Sequence, residues 1–159
     1  MRPDINARNR RRQRGLTLVE LIVAFTILSL LAAMAVPLAR YRVQREKERQ
    51  LRQSLLEIRS AIDRYKDMAD QGTLGRIEQQ SYGYPESLEQ MVEGVELPDK
   101  TKLRFLRRIP VDPMTRSREW GVRSMQDDPT SLSWGGQNVF DVYTKSYDRA
   151  PDGTPYSEW

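Results

Sequence analysis

Apolar and polar residues divide this chain into three regimes. Residues 1–15 are polar and basic, and the run that follows from Leu16 to Ala39 holds one charged residue, Glu20. Leu21 to Ala39 is a stretch of 19 residues without a formal charge, close to the ~20 that a helix needs to cross a bilayer core, so the pattern predicts a membrane-spanning helix. From Arg40 to Gln50, charges of both signs crowd among good helix formers, which predicts a solvated helical continuation just outside the bilayer. Leu51, Leu55, Ile58, Ile62, Tyr65 and Ala69 then recur at spacings of 4, 3, 4, 3 and 4, the single stripe of an amphipathic helix. If the helix is continuous from Leu16 to Ala69, its 54 residues extend ~81 Å at ~1.5 Å each. Pro37 lacks the donor that closes a helical turn and is the expected point of bending or loosening.

Periodicity breaks after Ala69. Asp70 to Tyr84 contains Gly72, Gly75 and Gly83 among polar residues and reads as a loop. Pro85 stands at a plausible first helical position ahead of Leu88, Met91 and Val92, which predicts a short helix ending near Gly94. Lys102 to Arg108 reads as a short turn. Two strands are expected, Trp120 to Met125 and Val139 to Thr144, separated by a polar loop around Trp134. Trp120, Phe140, Val142 and Tyr143 are the expected core of this small domain. A sheet of two or three strands does not stand alone, so the Leu51 to Ala69 stripe is expected to cover it. The fold class is therefore α+β.

Charge changes this picture less than the total suggests. The chain carries 26 basic and 22 acidic residues, a net charge of +4. Six of the arginines and one aspartate precede Leu16, so residues 16–159 hold 20 basic and 21 acidic groups. The basic excess belongs to the leader, where it holds the N-terminus in the cytoplasm by the positive-inside rule and sends the following domain to the other side. A nucleic-acid partner is not expected, because acids interleave the basic stretch and no aromatic platform accompanies it. The chain has no cysteine and no histidine, which removes disulfides, thiolate chemistry, His-dependent triads and the commonest zinc ligands. No carboxylate spacing supports an enzyme either, and no phosphate-binding loop is present.

The decisive motif is Arg14-Gly15-Leu16-Thr17-Leu18-Val19-Glu20. An acid near a membrane-spanning helix is costly, roughly 2.5 to 3.5 kcal/mol at the helix centre on insertion scales, so a compensating partner is expected. The motif resembles the class III signal of type IV pilins and type II secretion pseudopilins. That resemblance implies cleavage after Gly15 by an inner-membrane prepilin peptidase and N-methylation of Leu16. Glycine suits such a site because it lets the scissile bond adopt angles closed to other residues. It also implies that Glu20, fifth from the new N-terminus, pairs with a charged chain start during assembly, and that Pro37 takes the place of the family's helix-loosening proline. Tyr84-Pro85, the Pro-x-Asp-Pro stretch at 110–113 and the Asp-x-Tyr stretch at 141–143 resemble the major secretion pseudopilins in particular. Phe is the usual first mature residue, and Leu16 departs from it.

The resemblance implies a lollipop: a cleaved leader 1–15, a transmembrane and polymerisation helix 16–39, an amphipathic helix 40–70, and a globular domain 71–159 with a small antiparallel sheet. Its expected function is that of a structural subunit in the inner membrane, with its head in the periplasm, polymerised with other pseudopilins on a secretion platform. A type IV pilin or minor pilin, serving adhesion, motility or DNA uptake, is the alternative within the class. A membrane-anchored periplasmic binding or sensor domain is the alternative outside it. Ala33-Met34-Ala35 also has the small-x-small form of a signal-peptidase site, although Glu20 and the long helical pattern argue against cleavage there. Major pseudopilins bind one calcium ion in the loop after the last strand, and Asp148 and Asp152 are the candidates for it here. The tail lacks the family's glycine-rich spacing, and Tyr156 and Trp159 packed on the sheet are the favoured anchor in its place.

Overall fold

The computed structural model describes residues 17–75 and 79–159, and only the backbone at 34–38 and 79. The chain divides into two units between Val43 and Gln44. One helix, α1 (Leu18–Asp70, 53 residues), contributes to both.

In the first unit, the N-terminus of α1 is closed by Thr17. Its hydroxyl accepts the Glu20 N–H at 3.2 Å and its carbonyl accepts the Leu21 N–H at 3.1 Å. Threonine thereby satisfies one of the donors that a helix start leaves open, and Glu20 falls in the first turn, where the positive end of the helix dipole favours a carboxylate. The helical backbone continues through Pro37, so the missing N–H of proline does not end the element. Apolar side chains are bare: Leu18 is 73% exposed, Phe25 72% and Leu28 64%. Thr26 donates its hydroxyl to the Ile22 carbonyl at 2.8 Å, which spares a polar group any need of a partner outside the helix. Among the described residues no helix is long and apolar enough to cross a membrane. The span expected over 16–39 includes Leu16 and the side chains of 34–38, which lie outside the described residues.

In the second unit the expected stripe is the core. Leu51, Leu55, Ile58, Ile62 and Tyr65 are all buried, joined by Ala61, while Ala69 sits at the margin. The helix ends where Gly72 takes a left-handed φ of +70°. There the Gly72 N–H reaches the Ala69 carbonyl and the Thr73 N–H reaches the Met68 carbonyl, each at 3.0 Å. This pair of bonds closes the last turn, and a residue with a Cβ adopts that backbone only with strain.

The short second helix, α2 (Leu88–Glu93), begins later than Pro85. The Ser87 hydroxyl accepts the Gln90 N–H at 3.2 Å, so serine and not proline sets the helix start. Pro85 is instead buried, and its carbonyl accepts the Val139 N–H at 2.7 Å, tying this segment to the sheet. Residues expected to form only a turn make a hairpin: β1 (Val95–Glu96) pairs antiparallel with β2 (Lys102–Leu103). Two-residue strands carry no readable alternation, which is why the pattern missed them. Just beyond β2, the Phe105 and Leu106 N–H groups both donate to the Met91 carbonyl at 3.0 Å. The Phe105 ring then meets Tyr65 of α1 at 5.1 Å between centroids.

The two expected strands form as β3 (Gly121–Arg123) and β4 (Asp141–Tyr143), shorter than anticipated and antiparallel, with Val122 opposite Val142. Trp120, Val142 and Tyr143 are buried as expected, but Phe140 is 44% exposed and Val139 takes the inward place beside it. Phe140 meets Tyr84 edge-on at 5.2 Å instead. Asp112 explains the Pro-x-Asp-Pro stretch. Fully buried, its carboxylate accepts the Met114 N–H at 2.8 Å and the hydroxyls of Thr115 and Thr144, so one side chain shapes its own loop and ties it to the residue after β4.

Gly121 lies under the Tyr143 ring, where an added Cβ would come within 2.2 Å of a ring carbon. Gly121→Ala should therefore destabilise the protein by about 1–3 kcal/mol, as overpacking of a filled site does. Urea unfolding of the full chain in detergent measures it. Asp112→Ala, which strands three donors, should cost roughly 2–3 kcal/mol by the same measurement.

Candidate functional site

Two places gather the residues that the sequence singles out: the start of α1 and the C-terminal tail. At the first, Gly15 and Leu16 lie outside the described residues. Glu20 is exposed in the first turn of α1, and among the described residues its carboxylate makes no hydrogen bond or ion pair. An unpaired acid on an otherwise apolar helix surface can accept a cation supplied from elsewhere, and that is the chemistry this end of the molecule offers.

The tail is built differently from the expectation. Tyr156 is fully buried at the head of a 3-10 turn (Tyr156–Glu158), and it is held by α1 as well as by packing near β4. Its hydroxyl donates to Glu48 at 2.8 Å and accepts from Gln44. The Trp159 ring stacks edge-on against Tyr156 at 4.8 Å, with the Arg52 guanidinium 4.3 Å above it. Arg59, also on α1, donates to the Trp159 main-chain oxygen at 2.7 Å and to Asp141 at 2.7 Å. The residues that sequence reasoning missed here are Gln44, Glu48, Arg52, Arg59 and Arg123, and Asp141 stood out only as part of the Asp-x-Tyr stretch. Strand alternation carried a signal for one of them, since Arg123 shares the inward face of β3 with Gly121.

Asp148 and Asp152 belong to no group of three or more metal-ligating side chains among the described residues. Asp152 turns back on its own loop, accepting the Thr154 N–H at 2.9 Å, and the Thr154 main-chain and hydroxyl donors hold its carboxyl below the usual range. Asp148 contributes its main-chain carbonyl to the Tyr156 N–H at 3.2 Å. The loop carbonyl at Gly153, the kind of ligand calcium takes, already accepts Arg149 at 2.9 Å. Among the described residues no group of three or more acidic side chains could hold a metal ion. The donor set does not fit calcium.

Comparison with known proteins bears on the N-terminal site first. A family model described as the prokaryotic N-terminal methylation motif matches residues 10–36. Over nearly the whole chain, curated relatives share the name type II secretion system core protein G. The one from Pseudomonas aeruginosa is 27% identical over 152 residues, covering 91% of each chain. That of Dickeya chrysanthemi is 27% identical over 89% of this chain and 82% of its own, and that of Escherichia coli K12 is 25% identical over 89% and 84%. The chain is similar to these core protein G relatives over most of its length and carries the methylation motif at its N-terminal end. No solved structure matches it.

The similarity spans about nine-tenths of the chain and so extends beyond the N-terminal motif into the second unit. Three buried phenols tie that unit to pH. Tyr156 is pushed above the usual phenol range first by burial and then by its bond to Glu48, while burial raises Tyr65 and Tyr143, the latter against the opposing Arg123 charge. The folded state therefore holds these protons more tightly than the unfolded chain. Their contribution is complete below pH ~10 and is lost as pH climbs through the higher folded values. Stability by urea unfolding should fall above pH ~10, and Tyr156→Phe should flatten part of that fall.

Proposed function

We propose that the chain is a structural subunit of a type II secretion pseudopilus. Its leader inserts with the N-terminus in the cytoplasm, residues 16–39 lie across the inner membrane, and the second unit folds in the periplasm. A prepilin peptidase cuts between Gly15 and Leu16 and methylates the Leu16 amine. Subunits then pass from the bilayer into a filament assembled with other pseudopilins on an inner-membrane platform. The work of moving substrate is mechanical and is driven by a separate ATPase.

The observation that carries this reading is the apolar surface of α1 left bare in the first unit, Leu18 to Leu31, with one acid at its head. Such a surface needs an apolar surround, and lipid and a bundle of like helices both provide one. The methylated amine of a neighbouring or the same subunit then offers Glu20 a cation, and an acid paired there no longer bears the full cost of leaving water. The full-length likeness to core protein G relatives supports a secretion pseudopilus over an adhesive pilus.

Mass spectrometry of the protein recovered from membranes should find an N-methylated Leu16 as its first residue; an intact Met1 would leave only an anchored domain. Gly15→Val should accumulate the uncut form. Glu20→Ala should insert and be processed normally while lowering sheared filament by ~10-fold or more, as removal of one partner from a buried pair predicts. Undiminished polymer from Glu20→Ala would refute the pairing.

A further inference from the structure

The tail's main-chain oxygens are claimed by three arginines. Gly153 accepts from Arg149 at 2.9 Å, Ser157 from Arg123 at 3.2 Å and Trp159 from Arg59 at 2.7 Å. Two of these cations converge on one carboxylate. Arg59 donates to Asp141 through Nε at 2.7 Å and Nη2 at 3.4 Å, and Arg123 donates to the same carboxylate through Nη1 at 3.4 Å. Their remaining donors reach further segments. Arg59 Nη2 meets the Val142 carbonyl at 3.1 Å, and Arg123 Nε meets the Ser131 carbonyl at 2.7 Å. Arg123 is 6% exposed and lies 4.1 Å from the Tyr143 ring centroid, so its charge is largely withdrawn from solvent.

We propose that Arg59 and Arg123, bridged by Asp141 and seconded by Arg149, form a guanidinium lock that fastens the C-terminal tail to α1 and the β3–β4 pair without a metal ion. A divalent cation in a loop of this kind works by collecting carboxylate and carbonyl oxygens from separate segments. The two guanidiniums collect the same kinds of oxygen: one carboxylate, and carbonyls from β4, the loop after β3 and the tail. Arginine suits the task because its five donors sit in a fixed plane and its charge does not titrate. Fixed positive charges on these oxygens also oppose a second cation. The carbonyls are engaged, and any divalent ion brought to them faces repulsion from Arg59, Arg123 and Arg149 that the single Asp141 carboxylate only partly offsets. Asp152 on the same tail spends its carboxylate on the Thr154 N–H, and neither it nor Asp148 belongs to a group of three or more metal-ligating side chains among the described residues. The lock belongs to the second unit and holds whether or not the chain polymerises.

The test uses the full chain in detergent, stripped with EDTA and then given excess calcium chloride, with thermal unfolding and hydrogen exchange of the C-terminal peptide as readouts. The lock requires the same unfolding midpoint and the same tail protection in both conditions. A calcium-induced rise of roughly 4 °C or more, or tail protection seen only with calcium, would overturn it. Arg59→Met removes the cation but keeps the stem, and its side chain is 34% exposed, so the variant is expected to fold. It should speed exchange of the Tyr156 to Trp159 amides by ~10-fold or more, with or without calcium, while α1 stays protected. Arg149→Gln should loosen the Gly153 turn by a smaller factor. Unchanged tail exchange in Arg59→Met, or protection restored to it by calcium, would count against the lock.

Discussion

Burial of one stripe on α1 is the constraint around which the second unit is built. Leu51, Leu55, Ile58, Ile62 and Tyr65 are worth about 1.5–3 kcal/mol each when removed from water, but a lone helix cannot bury them. Every later segment contributes a cover. Met91 and Leu88 come from α2, Phe105 and Leu106 from the segment after β2, Trp120 from just before β3, Val142 from β4, and Tyr156 from the tail. None of these pieces is long enough to be stable alone, since the strands have two or three residues and α2 has six. The helix is their common wall, and they are ordered because it is there.

The same helix meets the opposite condition in the first unit. Its described side chains there are exposed, and the internal hydrogen bond from Thr26 and the cap from Thr17 satisfy polar groups within the helix itself. One α-helix is thus a finished wall at one end and an unfinished one at the other. Under the proposed function, neighbouring subunits supply the cover that this end of the helix lacks.

Polar groups in the second unit do the work that disulfides or a metal do in many other small domains. Asp112 is buried with three donors around it, and Asp141 lies between two guanidiniums. With no cysteine in the chain, loops that bury little apolar area are held by charge-assisted hydrogen bonds, which are shorter and stronger than neutral ones. Such bonds are directional, so they also fix where each loop lies. Arg123 illustrates this by touching the loop after β3, the neighbouring strand and the tail at once.

The linear chain determined what depends on local order: the helix and its stripe, the bare apolar run with Glu20 at its head, the Gly72 stop, and the approximate place of both strands. These follow from periodicity and from residue types whose backbone preferences act within a few positions. Tertiary structure alone decided how the tail is held. Arg59, Arg123 and Asp141 are ordinary charged residues in sequence, separated by 64 and 18 positions, and only the packed fold places them on one carboxylate. It also moved the start of α2 from Pro85 to Ser87, turned Phe140 outward in favour of Val139, and made Tyr156 a partner of α1. Those outcomes rest on which surfaces meet, and contact between distant segments leaves no periodic trace along the chain.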